Sequence, residues 1–141
     1  YGVLVRKEDD ERMEHFQSLI KGLTAFSKEM TKTSGPLFLA NGQLSNVDLA
    51  LVPWAFRYYL FEHYRRETYV ITPALYPQLQ PYFDWYDHVI ELDAVKRTLP
   101  DKADYLEHIG KYADSSARSK VANAVRRGVN AHELDDDKDE Y

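Results

Sequence analysis

Four residues, Ser45-Asn46-Val47-Asp48, constrain this chain more than any other stretch. A hydroxyl at a helix cap and a carboxylate three residues on can each satisfy the other residue's free backbone N–H. This reciprocal capping box opens a helix. Leu44 before the cap and Leu49 after it are placed to close a hydrophobic staple. Downstream, Leu49 to Phe61 is apolar almost all round, with Arg57 the exception. A helix apolar on every face belongs inside, so a buried central helix is expected from Asn46 to about Arg65. Pro53 falls in its interior, removes one hydrogen bond and is expected to kink it, at a cost of roughly 3 kcal/mol.

Other segments carry helical periodicity. Met13, Phe16, Ile20, Leu23 and Met30 share one face of a helix expected over Asp9 to Lys32, widened by Leu19 and Phe26. Glu8, Asp9, Asp10 and Glu11 crowd its start, where the helix dipole favours negative charge. Before it, Tyr1 to Arg6 reads as the end of an element, and the absence of an initial Met leads us to expect a piece of a longer protein. Pro73, Pro77 and Pro81 bound a turn into a helix striped by Leu79, Tyr82, Phe83, Tyr86, Val89 and Ile90. Asp93 is expected to cap a further turn. Pro100-Asp101 restarts the chain into a helix with Leu106, Ile109, Tyr112 and Ala113 inward. A last helix is expected over Ser115 to Arg127, striped by Ala117, Val121, Ala124 and Val125, with Gly128 as its C-cap. From Val129 the chain turns polar and acidic and reads as a disordered tail. No segment reads as a strand, so the expected fold class is all-α: a helical domain over residues 1–128 and a tail over 129–141.

Composition excludes several classes of function. The chain has 141 residues, suited to one domain. A net charge of −5 argues against a general nucleic-acid binder, which needs a basic surface. No cysteine is present, which rules out a disulfide scaffold, a thiolate metal site or a cysteine nucleophile within this chain, and fits a cytoplasmic protein. The longest wholly apolar run, Leu49 to Phe56, is far short of the about 20 residues that span a bilayer, so no membrane association is expected.

Local chemistry is sparse. His15, His63, His88, His108 and His132 each have an acidic neighbour, but His132-Glu133 is not completed to a zinc-protease motif, since Asp136 holds the second histidine position. No histidine has Glu three residues before it, as a di-iron bundle requires. No metal site is therefore expected. Gly-x-Ser-x-Gly elbows and phosphate-cradling glycine loops are both missing. Asp48 could act as a general base beside a buried helix, but the capping role accounts for both its spacing and its residue type. Trp54, Arg57, Tyr58 and Phe61 can share one helical edge. Arg57 there is either a cation in a cleft wall with rings for a ligand to stack on, or a structural arginine that snorkels past packed rings.

The stretch GPLFLANGQLSNVDLALVPWAFR, Gly35 to Arg57, resembles the signature of glutathione transferase C-terminal domains. The run from Asp48 to Trp54 with Arg57 looks most like the omega-like branch, including fungal members. Pro77 to Leu99 and Ser116 to Gly128 are similar to that branch as well. The chain departs at Ala40-Asn41-Gly42, where the family more often places glycine directly after the apolar anchor.

The resemblance implies a helical bundle of the glutathione transferase type and a two-domain parent. A thioredoxin-like N-terminal domain, absent from this chain, would bind glutathione and supply the reactive cysteine. No catalytic residue carries over. Trp54, Arg57 and Tyr58 are the candidates for the wall of the second-substrate pocket, with Ser45 and Asp48 as structural cap. The parent would use glutathione as co-substrate with a small electrophilic or disulfide substrate, in thiol transfer or conjugation, and a homodimer is implied for the full-length protein. The same fold also resembles non-catalytic modules in translation-factor and synthetase assemblies, which gives a scaffold as the rival reading.

Overall fold

The striped segment after Glu8 becomes the longest element, a helix of 22 residues. The computed structural model describes residues 1–33, 35–39, 41–130 and 132, and its elements are helical, with no strand among the described residues. The helices are α1 (Gly2–Val5), α2 (Asp9–Met30), α3 (Asn46–Ala55), α4 (Tyr59–Arg65), α5 (Gln80–Val89), α6 (Asp93–Lys96), α7 (Lys102–Ala113) and α8 (Lys120–Arg127), with 3-10 turns at Phe56–Tyr58, Arg66–Tyr69 and Pro77–Leu79. By contacts the chain divides into two compact units, one of Tyr1–Phe16 with Asp101–Tyr141 and one of Gln17–Pro100.

Helix α2 begins with Asp9, Asp10 and Glu11 in its first turn, against the positive end of its dipole. Two hydroxyls close its other end: Thr31 Oγ1 donates to the Lys28 carbonyl at 2.7 Å and Thr33 Oγ1 to that of Met30 at 2.9 Å. The Met30 carbonyl also accepts from the Thr33 N–H at 3.1 Å, so the two hydroxyls reinforce the carbonyls of the last turn. Phe16, Leu23 and Met30 are buried along one face, as the periodicity requires.

In the unit of residues 17–100, Leu23, Met30, Leu37, Val52, Ala55, Leu79, Tyr82, Trp85, Val89 and Val95 form one core cluster. Leu37, Leu79 and Val89 are essentially sealed. Burying each such aliphatic chain is worth about 1.5–3 kcal/mol. Helix α3 packs on α5. In the other unit α1 packs against α7 and α8, and buries Val3, Leu4 and Val5. Asp101 caps α7 by accepting from the Ala103 and Asp104 backbones at 2.8 and 3.2 Å.

Several expectations change. The helix opened by the capping box is not one uniform rod: it tightens into a 3-10 turn at Phe56–Tyr58 before α4 resumes. Pro53 is exposed, as is Leu49 one turn before it, so the carbonyl that loses its partner lies on the solvent side where water can satisfy it. Nor is α3 buried all round. Asp48, Val52 and Ala55 face inward, whereas Val47 is 38% exposed, Leu49 51% and Trp54 52%. Leu44 packs on the core cluster while Leu49 stays in the open. Asp93 is the first residue of α6 and not its cap; that position falls to Leu92, which makes no side-chain capping bond.

The last helix starts at Lys120 and not at Ser115. Ser115 takes a φ of 66°, outside the helical region, and the Ser119 hydroxyl accepts from the Ala122 backbone at 3.2 Å. Its buried face holds Ala122 and Ala124, with Ala117 buried just before it, whereas Val121 is exposed. Gly128 ends it with φ +71°, and the Val129 N–H reaches back to the Ala124 carbonyl at 3.1 Å. That pairing is one bond of the Schellman pattern that a left-handed residue allows. Residues 131 and 133–141, which hold most of the expected acidic tail, lie outside the described residues.

Candidate functional site

The capping box forms around Ser45, whose extended backbone (φ −104°, ψ 168°) makes it the N-cap of α3. Its hydroxyl accepts from the Asp48 N–H at 3.4 Å and donates to Asp48 Oδ2 at 2.7 Å, while the Ser45 N–H donates to the same oxygen at 2.8 Å. The other oxygen, Oδ1, accepts from the Phe38 N–H at 3.0 Å and from Trp85 Nε1 at 2.7 Å. Four donors thus converge on one fully buried carboxylate. A carboxylate has about four acceptor positions, so none is left to take a proton from a substrate. Burial opposes its charge, yet the hydrogen bonds from Ser45, Trp85 and Phe38 outweigh that cost and hold Asp48 below the usual carboxylate range. Asp48 is the knot that ties α3, the loop at Phe38 and α5 together.

The three candidate ligand-wall residues part company. Trp54 and Arg57 stay together: the guanidinium carbon sits 5.1 Å from the Trp54 ring centre, a cation–π arrangement worth about 0.5–1 kcal/mol at an exposed site. Tyr58 turns toward the core instead. It stacks on Phe61 at 5.6 Å and leans on Tyr82 at 6.3 Å. Burial pushes its hydroxyl up to about 12. Phe61 is buried as well. The edge expected to carry Trp54, Arg57, Tyr58 and Phe61 therefore resolves into two pairs, exposed Trp54 with half-buried Arg57 and half-buried Tyr58 with buried Phe61.

Behind Tyr58 lies an aromatic layer. Tyr82 meets Tyr86 at 6.3 Å, nearly parallel, and Trp85 at 5.8 Å; Phe26 meets Trp85 edge-on at 5.1 Å. Such contacts add about 0.5–1.5 kcal/mol each to what burial supplies. Burial raises Tyr82 and Tyr86 above the ordinary phenol value, with Asp87 adding to both.

Trp85 is the important residue that the sequence stripe omits. Its spacing to Tyr82 and Val89, three before and four after, carried the signal, and a buried indole N–H needs an acceptor. Among the described residues no group of three or more His, Cys, Asp or Glu could hold a metal ion, and no helix is long and apolar enough to cross a membrane. Comparison with known proteins finds no family model, curated protein or solved structure that matches this chain.

Proposed function

We propose that this chain is the helical, C-terminal half of a glutathione transferase of the omega-like type, holding the second substrate for a thioredoxin-like half that binds glutathione. The observation that carries this reading is the Asp48 knot. The Gly35 to Arg57 stretch bears the resemblance, and within it one carboxylate closes the cap of α3 while holding the Phe38 backbone of the preceding loop. A rigid, capped helix is a suitable platform from which to present substrate contacts. Trp54 with Arg57 supplies the exposed part of that wall: an aromatic face and a fixed cation for an electrophile or a mixed disulfide.

The test is made on the protein as isolated from its source. Its intact mass and N-terminal sequence are determined, and glutathione-dependent reduction of a mixed disulfide is assayed. The reading expects a thioredoxin-like half with a reactive cysteine, and a Trp54→Ala variant that raises KM for the disulfide about tenfold with kcat little changed, a loss of about 1.4 kcal/mol in binding. A native chain without such a half, or without glutathione-dependent turnover, overturns it.

One observation favours a second reading, the non-catalytic interaction module. Val47, Leu49 and Trp54 are exposed on a single helix, and Pro53 lies beside them. Large apolar side chains left in the open on one helix are candidate contacts for a partner. A partner recovered with the native protein and lost in Leu49→Asp, with no transferase activity, would establish this reading in place of the first.

A further inference from the structure

A cleft of about 410 Å³ lies in the unit of residues 1–16 and 101–141, remote in sequence from the α3 surface. That volume is within the range of small-molecule sites. Its walls include Tyr1, Arg6, His15 and Gly128. Two glycines make the walls meet. A Cβ on Gly2 would lie 2.2 Å from the His15 ring, so only glycine lets that ring settle against α1. At the end of α8, a Cβ on Gly128 would lie 3.5 Å from Arg6 Nη1, which places the guanidinium beside the carbonyl-rich end of the helix.

Arg6 is held firmly and paired poorly. Arg12 Nε donates to the Arg6 carbonyl at 2.7 Å, which anchors the backbone at this turn. The guanidinium itself meets Glu11 only at 3.8 Å, beyond hydrogen-bond distance, and Glu11 is half exposed. Arg6 Nε is buried with no hydrogen-bond partner. A guanidinium that has given up water at one nitrogen without a replacement gains from a well-placed anion at its remaining edge. The acidic start of α2, with Asp9, Asp10 and Glu11, disfavours a dianion nearby. Tyr1, 45% exposed and with its ring met edge-on by Tyr112 at 5.9 Å, adds an aromatic group to the same cleft.

We infer that this cleft binds a small organic monocarboxylate with a planar ring, its carboxylate on Arg6 and its ring against Tyr1. Glu11 is the internal competitor: it occupies the guanidinium loosely and is displaced when the ligand enters. His15 lines the same cleft, where an imidazole N–H can donate to the carboxylate.

The probe is benzoate, titrated into the full chain by calorimetry with proton–nitrogen NMR shifts read in parallel, and benzamide as its neutral isostere. One benzoate per chain is expected, with Kd of about 1 mM, and shifts centred on Gly2, Arg6, His15 and Gly128. Arg6→Gln should weaken binding about tenfold, whereas Glu11→Gln should strengthen it about threefold by removing the competitor. That gain is a readout which a merely structural Arg6 would not give, and it does not depend on Arg6→Gln folding well. Benzamide binding as tightly as benzoate, Glu11→Gln leaving the affinity unchanged, or shifts that fall elsewhere would each overturn the assignment.

Discussion

Trp85 and Asp48 stand 37 residues apart in the chain, and the indole Nε1 of the first donates a 2.7 Å hydrogen bond to the buried carboxylate of the second. This one bond links α5 to the cap of α3. It also turns a local signal, the capping box, into a tertiary one.

Removing the carboxylate should therefore cost far more than a cap. Asp48→Ala leaves the Phe38 N–H, the Ser45 N–H and hydroxyl, and the Trp85 indole without their acceptor. The expected loss is on the order of 3 kcal/mol, against about 1 kcal/mol for Ser45→Ala, which breaks the cap alone. Trp85→Phe should fall between them. Urea denaturation followed by circular dichroism gives the ranking, and equal midpoints for Asp48→Ala and Ser45→Ala would contradict the shared-acceptor geometry.

Acid should act through the same group. Asp48 is held below the usual carboxylate range in the folded chain, while the unfolded chain takes up the proton near about pH 3.9. Its contribution is fully present above that value and is lost as the pH falls through the folded one. Urea stability measured at pH 7 and again at pH 3 should drop more steeply for the native sequence than for Asp48→Asn. Parallel slopes would show that Asp48 is not the acid-sensitive group.

The alkaline limb has a different source. Tyr58 is pushed up to about 12 by burial, and Tyr82 and Tyr86 are raised for the same reason. Each favours the neutral phenol when folded, so its stabilisation is present below about pH 10 and is lost as the pH rises through the folded value. Of eleven tyrosines, these three should ionise late, and their tyrosinate absorbance should appear together with unfolding. A single smooth titration of all eleven near pH 10 would refute the buried layer.

Backbone substitutions supply a test independent of charge. Arg66 ends α4 at φ 62° and ψ −164°, a region that suits glycine almost alone. Arg66→Gly should stabilise the chain by about 1 kcal/mol. Gly22 lies inside α2 with open space where a Cβ would go, and Gly22→Ala should add about 0.5–1 kcal/mol. Both should raise the melting temperature; a fall in either would mean that the local conformation differs from the one described.

Much of this architecture was legible because helix signals are local. The stripe of α2, the Ser45-Asp48 box, the entry at Pro77, the Asp101 restart and the Gly128 stop all act within a turn or two of chain. What escaped was directional or distant. A helix apolar on every face has no periodicity to say which side will be covered, so Leu49 reads as interior when it lies at the surface. Trp85 matched the α5 stripe by spacing, but its acceptor on Asp48 belongs to another element, and no local pattern records that pairing. Arg6 carried no motif at all: its cleft is assembled from Gly2, His15 and Gly128, which only the folded chain brings together. Arg57 and Tyr58 are neighbours in the chain and both lie in the 3-10 turn at Phe56–Tyr58, so their side chains point in different directions, one to Trp54 and the other to Phe61 and Tyr82.

The contrast between the two tryptophans has an optical consequence. Trp85 is 1% exposed and bonded to a carboxylate, while Trp54 is 52% exposed beneath a guanidinium, and the chain has no third indole. A collisional quencher in solution reaches one and is shut out from the other. Emission from the chain is therefore a two-channel signal: the quenchable part registers whatever settles on α3, and the protected part fades into it only when the core opens.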